Sequence, residues 1–185
     1  MSIKQYRKVF LDYQQGHVVA LGLFSHPNDQ KREAVLSDED KVNLQDAVSK
    51  AAKGELVTVL LGGFNSSNKA LILNKLAYLS HSLLYILDVA QLSTNYVGET
   101  EKNLARIIAE VQNSDAILFF DEADALFGRS NALQEIDDSY ANQQVSYLLK
   151  LCSQHAKLYV LATDNPATYD LLQKRVSYAI RAKND

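Results

Sequence analysis

Short runs of continuous apolar residues alternate with amphipathic stretches from residue 55 onward. The apolar runs predict strands, which in chain order are ELVTVLLG from residue 55, LLYILD from 83, AILFF from 116 and KLYVLAT from 157, with a last strand near 177–181. The stretches between them predict helices, including long ones over 98–113 and about 137–155. Continuous apolar strands are typical of a parallel sheet covered by helices on both faces. Residues 55–185 are therefore predicted to form an α/β core.

Residues 1–54 are predicted to form an N-terminal extension of helix, strand and helix that packs on this core. The first helix is expected over residues 1–15, where aromatic and aliphatic residues recur at helical spacing. The run HVVALGLF at residues 17–24 predicts a strand that adds to the edge of the sheet. Ser37, followed by three acidic residues, predicts the start of a helix that stops at Gly54.

Composition narrows the class of protein. The 185 residues are 47% apolar and 22% charged, as expected for one ordinary globular domain. A net charge of -3 disfavours a nucleic-acid partner, because no excess of cations exists to neutralise phosphates. A single cysteine, Cys152, excludes an internal disulfide and zinc sites built on several thiolates. The apolar runs are too short to cross a bilayer and no signal-peptide core is present, so we expect a cytoplasmic domain without a membrane partner.

A candidate phosphate-binding loop follows the first core strand and has the sequence GFNSSNKA. The pattern GxxxxGK[ST] places backbone N–H groups and a lysine around phosphates at a helix N-terminus. The candidate nucleotide-binding residues are Gly63, Asn65, Ser66, Ser67, Asn68, Lys69 and Ala70. Asn68 replaces the second glycine of the pattern, but asparagine tolerates left-handed backbone better than most residues, so the shape of the loop could survive. Ala70 lacks the hydroxyl that ligates Mg²⁺. Alone, the segment also fits a strand–turn–helix with a solvated lysine.

Two more strand ends carry polar side chains. Asp121 and Glu122 directly follow AILFF, where an aspartate suits a Mg²⁺–water shell and a glutamate suits activation of a water. A cap for the next segment is the other interpretation of Asp121. Asp164 and Asn165 follow KLYVLAT and either face the same crevice or belong to an ordinary turn. Because ligands bind beyond the carboxyl ends of parallel strands, we expect these residues in one cleft.

The three strand ends, in this order, resemble the AAA+ ATPases over roughly residues 55–182, and most closely the FtsH-like branch. The segments that carry the resemblance are NYVGETEKNL from Asn95, DAILFFDEADALFGR from Asp115, DSYANQ from Asp138, ATDNP from Ala162 and QKRVSYAI from Gln173. The second is nearly a family consensus, and the last is similar to the stretch that carries arginine fingers.

The resemblance implies a three-layer α/β/α P-loop NTPase fold with a parallel sheet of about five strands in the order 5-1-4-3-2. It implies ATP and Mg²⁺ as cofactors, and action in a homo-oligomer or with an AAA+ partner protein. By the same resemblance, Lys69 would contact a phosphate, Asp121 would organise Mg²⁺ through water, and Glu122 would activate a water molecule. Asp164 or Asn165 would sense the γ-phosphate, and a pore loop would consist of Tyr96, Val97 and Gly98. Arg175, together with Lys174, would contact a neighbour's nucleotide.

Departures from the family pattern leave two functions open. Asn68 and Ala70 break the phosphate loop, Asp164 stands in place of a neutral asparagine, and Ser139 replaces an arginine. The sequence ends soon after the last core strand, so the helical lid is expected to be absent. The first function is an ATPase-like domain that binds ATP or ADP weakly, with slow or lost hydrolysis. The second is a pseudo-ATPase interaction module that binds no nucleotide. Whether the chain is an enzyme is not decided by the sequence.

Overall fold

The computed structural model describes residues 9–11, 18–21, 34–88, 99–111, 116–127, 138–154 and 158–182. The strands are β1 (Val9–Leu11), β2 (Val18–Leu21), β3 (Val57–Gly62), β4 (Leu83–Asp88), β5 (Ala116–Asp121), β6 (Leu158–Thr163) and β7 (Tyr178–Arg181). The helices are α1 (Asp38–Ala52), α2 (Ser66–Ser80), α3 (Glu99–Val111), α4 (Asp138–Ser153) and α5 (Pro166–Leu172), with a 3₁₀ helix over Ala123–Phe127.

All seven strands form one sheet in the order β1-β2-β4-β5-β6-β3-β7. The five strands from β4 to β7 in that order are parallel, and numbered along the core they run 2-3-4-1-5. Read from the other edge this is 5-1-4-3-2, so the predicted fold class is confirmed. The pairing sets Gly62 beside Thr163 and Asp88 beside Asp121, which brings the carboxyl ends of the parallel strands to one edge.

The N-terminal strands extend the sheet in the antiparallel sense. The strand expected at 17–24 is confirmed over Val18–Leu21, where it pairs with β4. The helix expected over 1–15 is wrong at Val9–Leu11, because these residues pair with β2 and form the outermost strand. Sheet pairing satisfies their backbone groups and suits a Val-Phe-Leu run, which outweighs the helical spacing of the apolar residues. Helix α1 starts as expected, and the Ser37 hydroxyl accepts the N–H of Asp40 at 3.1 Å.

Two buried layers lie on opposite faces of the sheet, as a three-layer fold requires. Toward α1 and α2 the strands direct the side chains of Val57, Val59, Leu61, Ile117, Phe119, Leu158 and Val160. Toward α3, α4 and α5 they direct Leu60, Leu118, Phe120, Tyr159 and Leu161. Cys152 of α4 is buried in the second layer, where desolvation raises the pKa of its thiol to about 12 and leaves it inert. Within the described ranges, no helix combines the length and apolar character that a membrane span requires.

Helix α5 packs directly on the end of β3. A Cβ atom at Gly62 would lie 2.3 Å from Cδ2 of Tyr169, so only glycine fits beneath that ring. The Arg181 guanidinium lies 5.1 Å from the centre of the same ring on the side of β7. Tyr169 is buried, and desolvation raises the pKa of its hydroxyl. This contact holds the start of the candidate phosphate loop against the neighbouring elements.

Candidate functional site

A cleft of about 300 Å³ opens where β3, β5 and β6 end. Its lining consists of Lys69, Asp121, Glu122, Asp124, Ala162, Thr163 and Asp164. The three strand ends singled out in the sequence therefore meet in one place, as the parallel topology predicts. Four carboxylates face one ammonium group, which leaves three net negative charges in the cleft. A polyphosphate can approach such a wall only together with cations.

Lys69 and Asp121 contact each other across the cleft. The Nζ of Lys69 lies 2.8 Å from Oδ1 of Asp121, and the two side chains are 13% and 34% exposed. The same oxygen accepts the backbone N–H of Glu122 at 3.2 Å. Because this pair is largely shielded from water, its attraction is screened less than that of a surface pair. A phosphate group that binds Lys69 must therefore compete with the carboxylate of Asp121.

The second half of the candidate phosphate loop, from Ser66 onward, forms the first turn of α2. The helix begins at Ser66, and Oδ1 of Asn65 caps it by accepting the N–H of Asn68 at 2.9 Å. The N–H of Lys69 is also bound, to the carbonyl of Asn65 at 2.9 Å. Asn68 lies inside the helix and does not adopt the left-handed backbone that asparagine tolerates. Of the candidate loop residues, Lys69 lines the cleft.

A tight turn over residues 121–124 at the end of β5, the acidic turn, carries three of the four carboxylates in the cleft. Glu122 is exposed and has a φ of 53°, a left-handed conformation that is unfavourable for a residue other than glycine. Its carbonyl accepts the N–H of Ala125 at 2.9 Å, which begins the 3₁₀ helix. This turn returns the chain to the cleft at Asp124, a lining residue to which sequence reasoning assigned no role.

The end of β6 joins the acidic turn through Thr163. Its buried hydroxyl donates to Oδ1 of Asp124 at 2.9 Å and accepts the N–H of Asn165 at 3.1 Å. The side chain of Asn165 caps α5 by accepting the N–H of Ala167 at 2.9 Å. Of the two sensor candidates, Asp164 therefore lines the cleft, whereas Asn165 is engaged with α5. Thr163 was not among the predicted site residues, although a polar residue at the end of a fully buried strand is a signal that could have pointed to it.

The remaining candidates lie apart from the cleft or outside the described residues. Lys174 and Arg175 are exposed on the turn after α5, and Nη1 of Arg175 donates to Oγ of Ser146 on α4 at 3.4 Å. Neither residue lines the cleft. The pore-loop candidates Tyr96, Val97 and Gly98 lie outside the described ranges, and so does the side chain of Ser139.

The fold and the cleft at its strand ends define a P-loop NTPase of the α/β type. A profile of the family described as ATPase family associated with various cellular activities (AAA) matches residues 59–181, more than half of the chain. The chain therefore belongs to the AAA family.

A relative from Plasmodium falciparum (isolate 3D7), named cell division cycle ATPase, is 25% identical over 119 residues. That alignment covers 63% of this chain and 10% of the relative. The chain thus spans about a tenth of the length of the curated relative it matches.

Proposed function

We propose that this AAA domain binds ATP or ADP weakly through Lys69 and Asp121, and that it hydrolyses ATP slowly or not at all. The observation that carries the proposal is the contrast within the cleft. Lys69 and the acidic turn lie together at the strand ends, while the candidate phosphate loop is helical from Ser66 onward.

Retained side chains support nucleotide binding. Lys69 supplies a shielded ammonium for the outer phosphates, and Asp121 lies within reach of the same point. Within the described part of the chain, no three histidine, cysteine or acidic residues are placed to hold a metal by themselves. Mg²⁺ keeps several waters and binds through one or two carboxylates plus phosphates, so Asp121 fits a water-mediated role. When bound, Mg²⁺ would neutralise charge on the phosphates. Glu122, exposed beside it, is the candidate base for an attacking water.

Three features weaken the site. Asn65 already occupies the N–H of Asn68, a backbone donor that a phosphate would need. Ala70 has no hydroxyl to offer Mg²⁺. Asp164 places another carboxylate in the cleft, where it repels a polyphosphate. Each lost contact lowers transition-state stabilisation by on the order of a few kcal/mol, which is orders of magnitude in rate.

An assembly with other AAA domains completes this proposal. Lys174 and Arg175 are exposed beyond the cleft, as residues that reach a neighbour's nucleotide must be. We include in the proposal a homo-oligomer or an AAA+ partner of the FtsH-like branch, with Tyr96, Val97 and Gly98 facing its pore. The family match supports an assembly role, since AAA domains commonly work side by side.

The second candidate is a pseudo-ATPase module that binds a protein and no nucleotide. Its support is that two groups a phosphate would need already have partners within the chain: Lys69 pairs with Asp121, and the N–H of Asn68 binds Asn65. In this case the fold serves as a scaffold for a partner surface.

Calorimetric titration with ATP and ADP, with and without Mg²⁺, separates the two candidates. We expect weak binding by the wild type, loss of binding in Lys69→Ala, and no change in Lys75→Ala, which removes an exposed lysine from the same helix. Where binding is found, phosphate release should vanish in Glu122→Gln. No heat at millimolar nucleotide would contradict the first proposal and leave the interaction module.

A further inference from the structure

Thr163 is a buried polar residue whose hydroxyl is fully used. Only 3% of the residue is exposed, and within the described residues the buried polar side chains are Thr58, Thr163 and Thr168. A hydroxyl has one proton, so its donation to Asp124 fixes that proton and leaves lone pairs for the N–H of Asn165. Both bonds are partly buried, and replacing the hydroxyl by a methyl group would remove a partner from both Asp124 and Asn165.

The backbone of Thr163 reaches the other side of the cleft. Its carbonyl accepts the N–H of Gly63 at 3.2 Å, and in the sheet it pairs with Gly62. Gly63 has a φ of 70° and is the first residue of the candidate phosphate loop. One residue therefore links the start of this loop, the acidic turn and the cap of α5.

We propose that Thr163 is the positioning residue of this cleft and that Asp124 is a further binding residue. This inference rests on the proposed nucleotide-binding function. Thr163 holds the carboxylate of Asp124 toward the cleft, where Asp124 contacts the hydrated cation that accompanies a polyphosphate. The charge balance supports this role, because a cleft with three net negative charges admits a polyphosphate only together with cations.

Thr58 provides a matched control for a role that is merely structural. It is 5% exposed, and its hydroxyl accepts the N–H of Ser177 at 3.0 Å. It lies at the opposite end of the sheet from the cleft, near the start of β3. Thr58→Val and Thr163→Val thus remove the same group from equally buried positions, and comparable losses of melting temperature are expected from both.

The experiment measures the binding of ADP with and without Mg²⁺ by calorimetry, together with melting temperatures. We expect Thr163→Val to weaken MgADP binding about tenfold, Thr163→Ser to restore it, and Thr58→Val to leave it unchanged. Asp124→Asn should weaken MgADP binding but strengthen binding of metal-free ADP, because it removes a negative charge from the cleft. Equal affinities in Thr163→Val and Thr58→Val, or an Asp124→Asn variant that shifts both ligands in the same direction, would overturn the proposal.

Amide hydrogen exchange separates this inference from the proposed function. If the wild type binds no nucleotide, the proposed function fails, and the binding role of Asp124 fails with it. The positioning role of Thr163 is then judged on the protein alone. Faster exchange at Asn165 and along the 3₁₀ helix in Thr163→Val, reversed in Thr163→Ser, supports that role, and unchanged exchange refutes it.

Discussion

Two segments reach the same cleft from the ends of β3 and β5, and they differ in conformation. The segment after β3, from Gly63 to Lys69, lies where the pattern GxxxxGK[ST] places a phosphate loop, and it begins a capped helix at Ser66. The turn after β5, from Asp121 to Asp124, keeps its carboxylates at the cleft. Both follow fully or almost fully buried strands, so the difference arises after the strands end.

Carboxylates at the end of a strand demand less of the local backbone than a phosphate-binding loop does. Asp121 needs only the end of a rigid strand to place its carboxylate. A phosphate loop needs an open backbone over several residues, and that conformation depends on the residue at each position. Asn68 stands where that pattern has a glycine, a residue that disfavours helix, and the side chain of Asn65 caps α2.

The largest effect is expected from restoring the loop with Asn68→Gly and Ala70→Thr together. Glycine weakens the first turn of α2 and frees its backbone donors, while threonine supplies a hydroxyl for Mg²⁺. We expect MgATP affinity to rise by about 3 kcal/mol, roughly a hundredfold, as measured by calorimetry.

The two single variants separate the contributions of the hydroxyl and of the backbone. Ala70→Thr alone should raise the affinity for nucleotide with Mg²⁺ but not without it. Asn68→Gly alone should raise the affinity for nucleotide both with and without Mg²⁺. If the double variant binds nucleotide no better than the wild type, the carboxylates of the acidic turn limit binding, and the loop after β3 is not the weaker part of the site.

A smaller effect is expected from Asn65→Ala, which removes only the cap. The loss should lower the free energy of unfolding by about 1 kcal/mol and release the N–H of Asn68 for a phosphate. Nucleotide affinity should therefore rise severalfold while stability falls. Urea unfolding and calorimetry measure the two quantities.

Asn165→Ala is the matched control, because Asn165 caps α5 in the same way. It should destabilise the protein by a similar amount without any gain in affinity. A gain of nucleotide affinity in both variants would show that removing either helix cap raises affinity, and that the loop after β3 has no specific role in binding.

The sequence predicts those features that depend on burial along the strands. Continuous apolar runs identify the five parallel strands and, through their carboxyl ends, the place of the cleft. Lys69, Asp121, Glu122 and Asp164 were all expected there and line it.

Other features depend on competition between local and long-range interactions, which periodicity does not measure. Val9–Leu11 pair with β2 although their spacing suits a helix. The start of α2 depends on whether Asn65 caps it, and an asparagine at a strand end fits a cap and a loop equally well. Asp124 enters the cleft only because the chain turns sharply at Glu122, which no pattern of apolar residues predicts.

The smallest effect tests the strain in the acidic turn. Glu122 has a left-handed φ of 53°, where a glycine avoids the steric penalty of a side chain. We expect Glu122→Gly to be more stable than Glu122→Ala by about 0.5–1 kcal/mol in urea unfolding.

His81, the exposed residue that ends α2, has the same φ of 53° and provides the control pair His81→Gly and His81→Ala. Both glycine variants should gain stability over their alanine counterparts, but only the changes at Glu122 should affect phosphate release. If Glu122→Gly is less stable than Glu122→Ala, the conformation of the turn is not strained in the way that its φ indicates. The contrast between a sturdy acidic turn and a sequence-sensitive loop after β3 would then lose its basis.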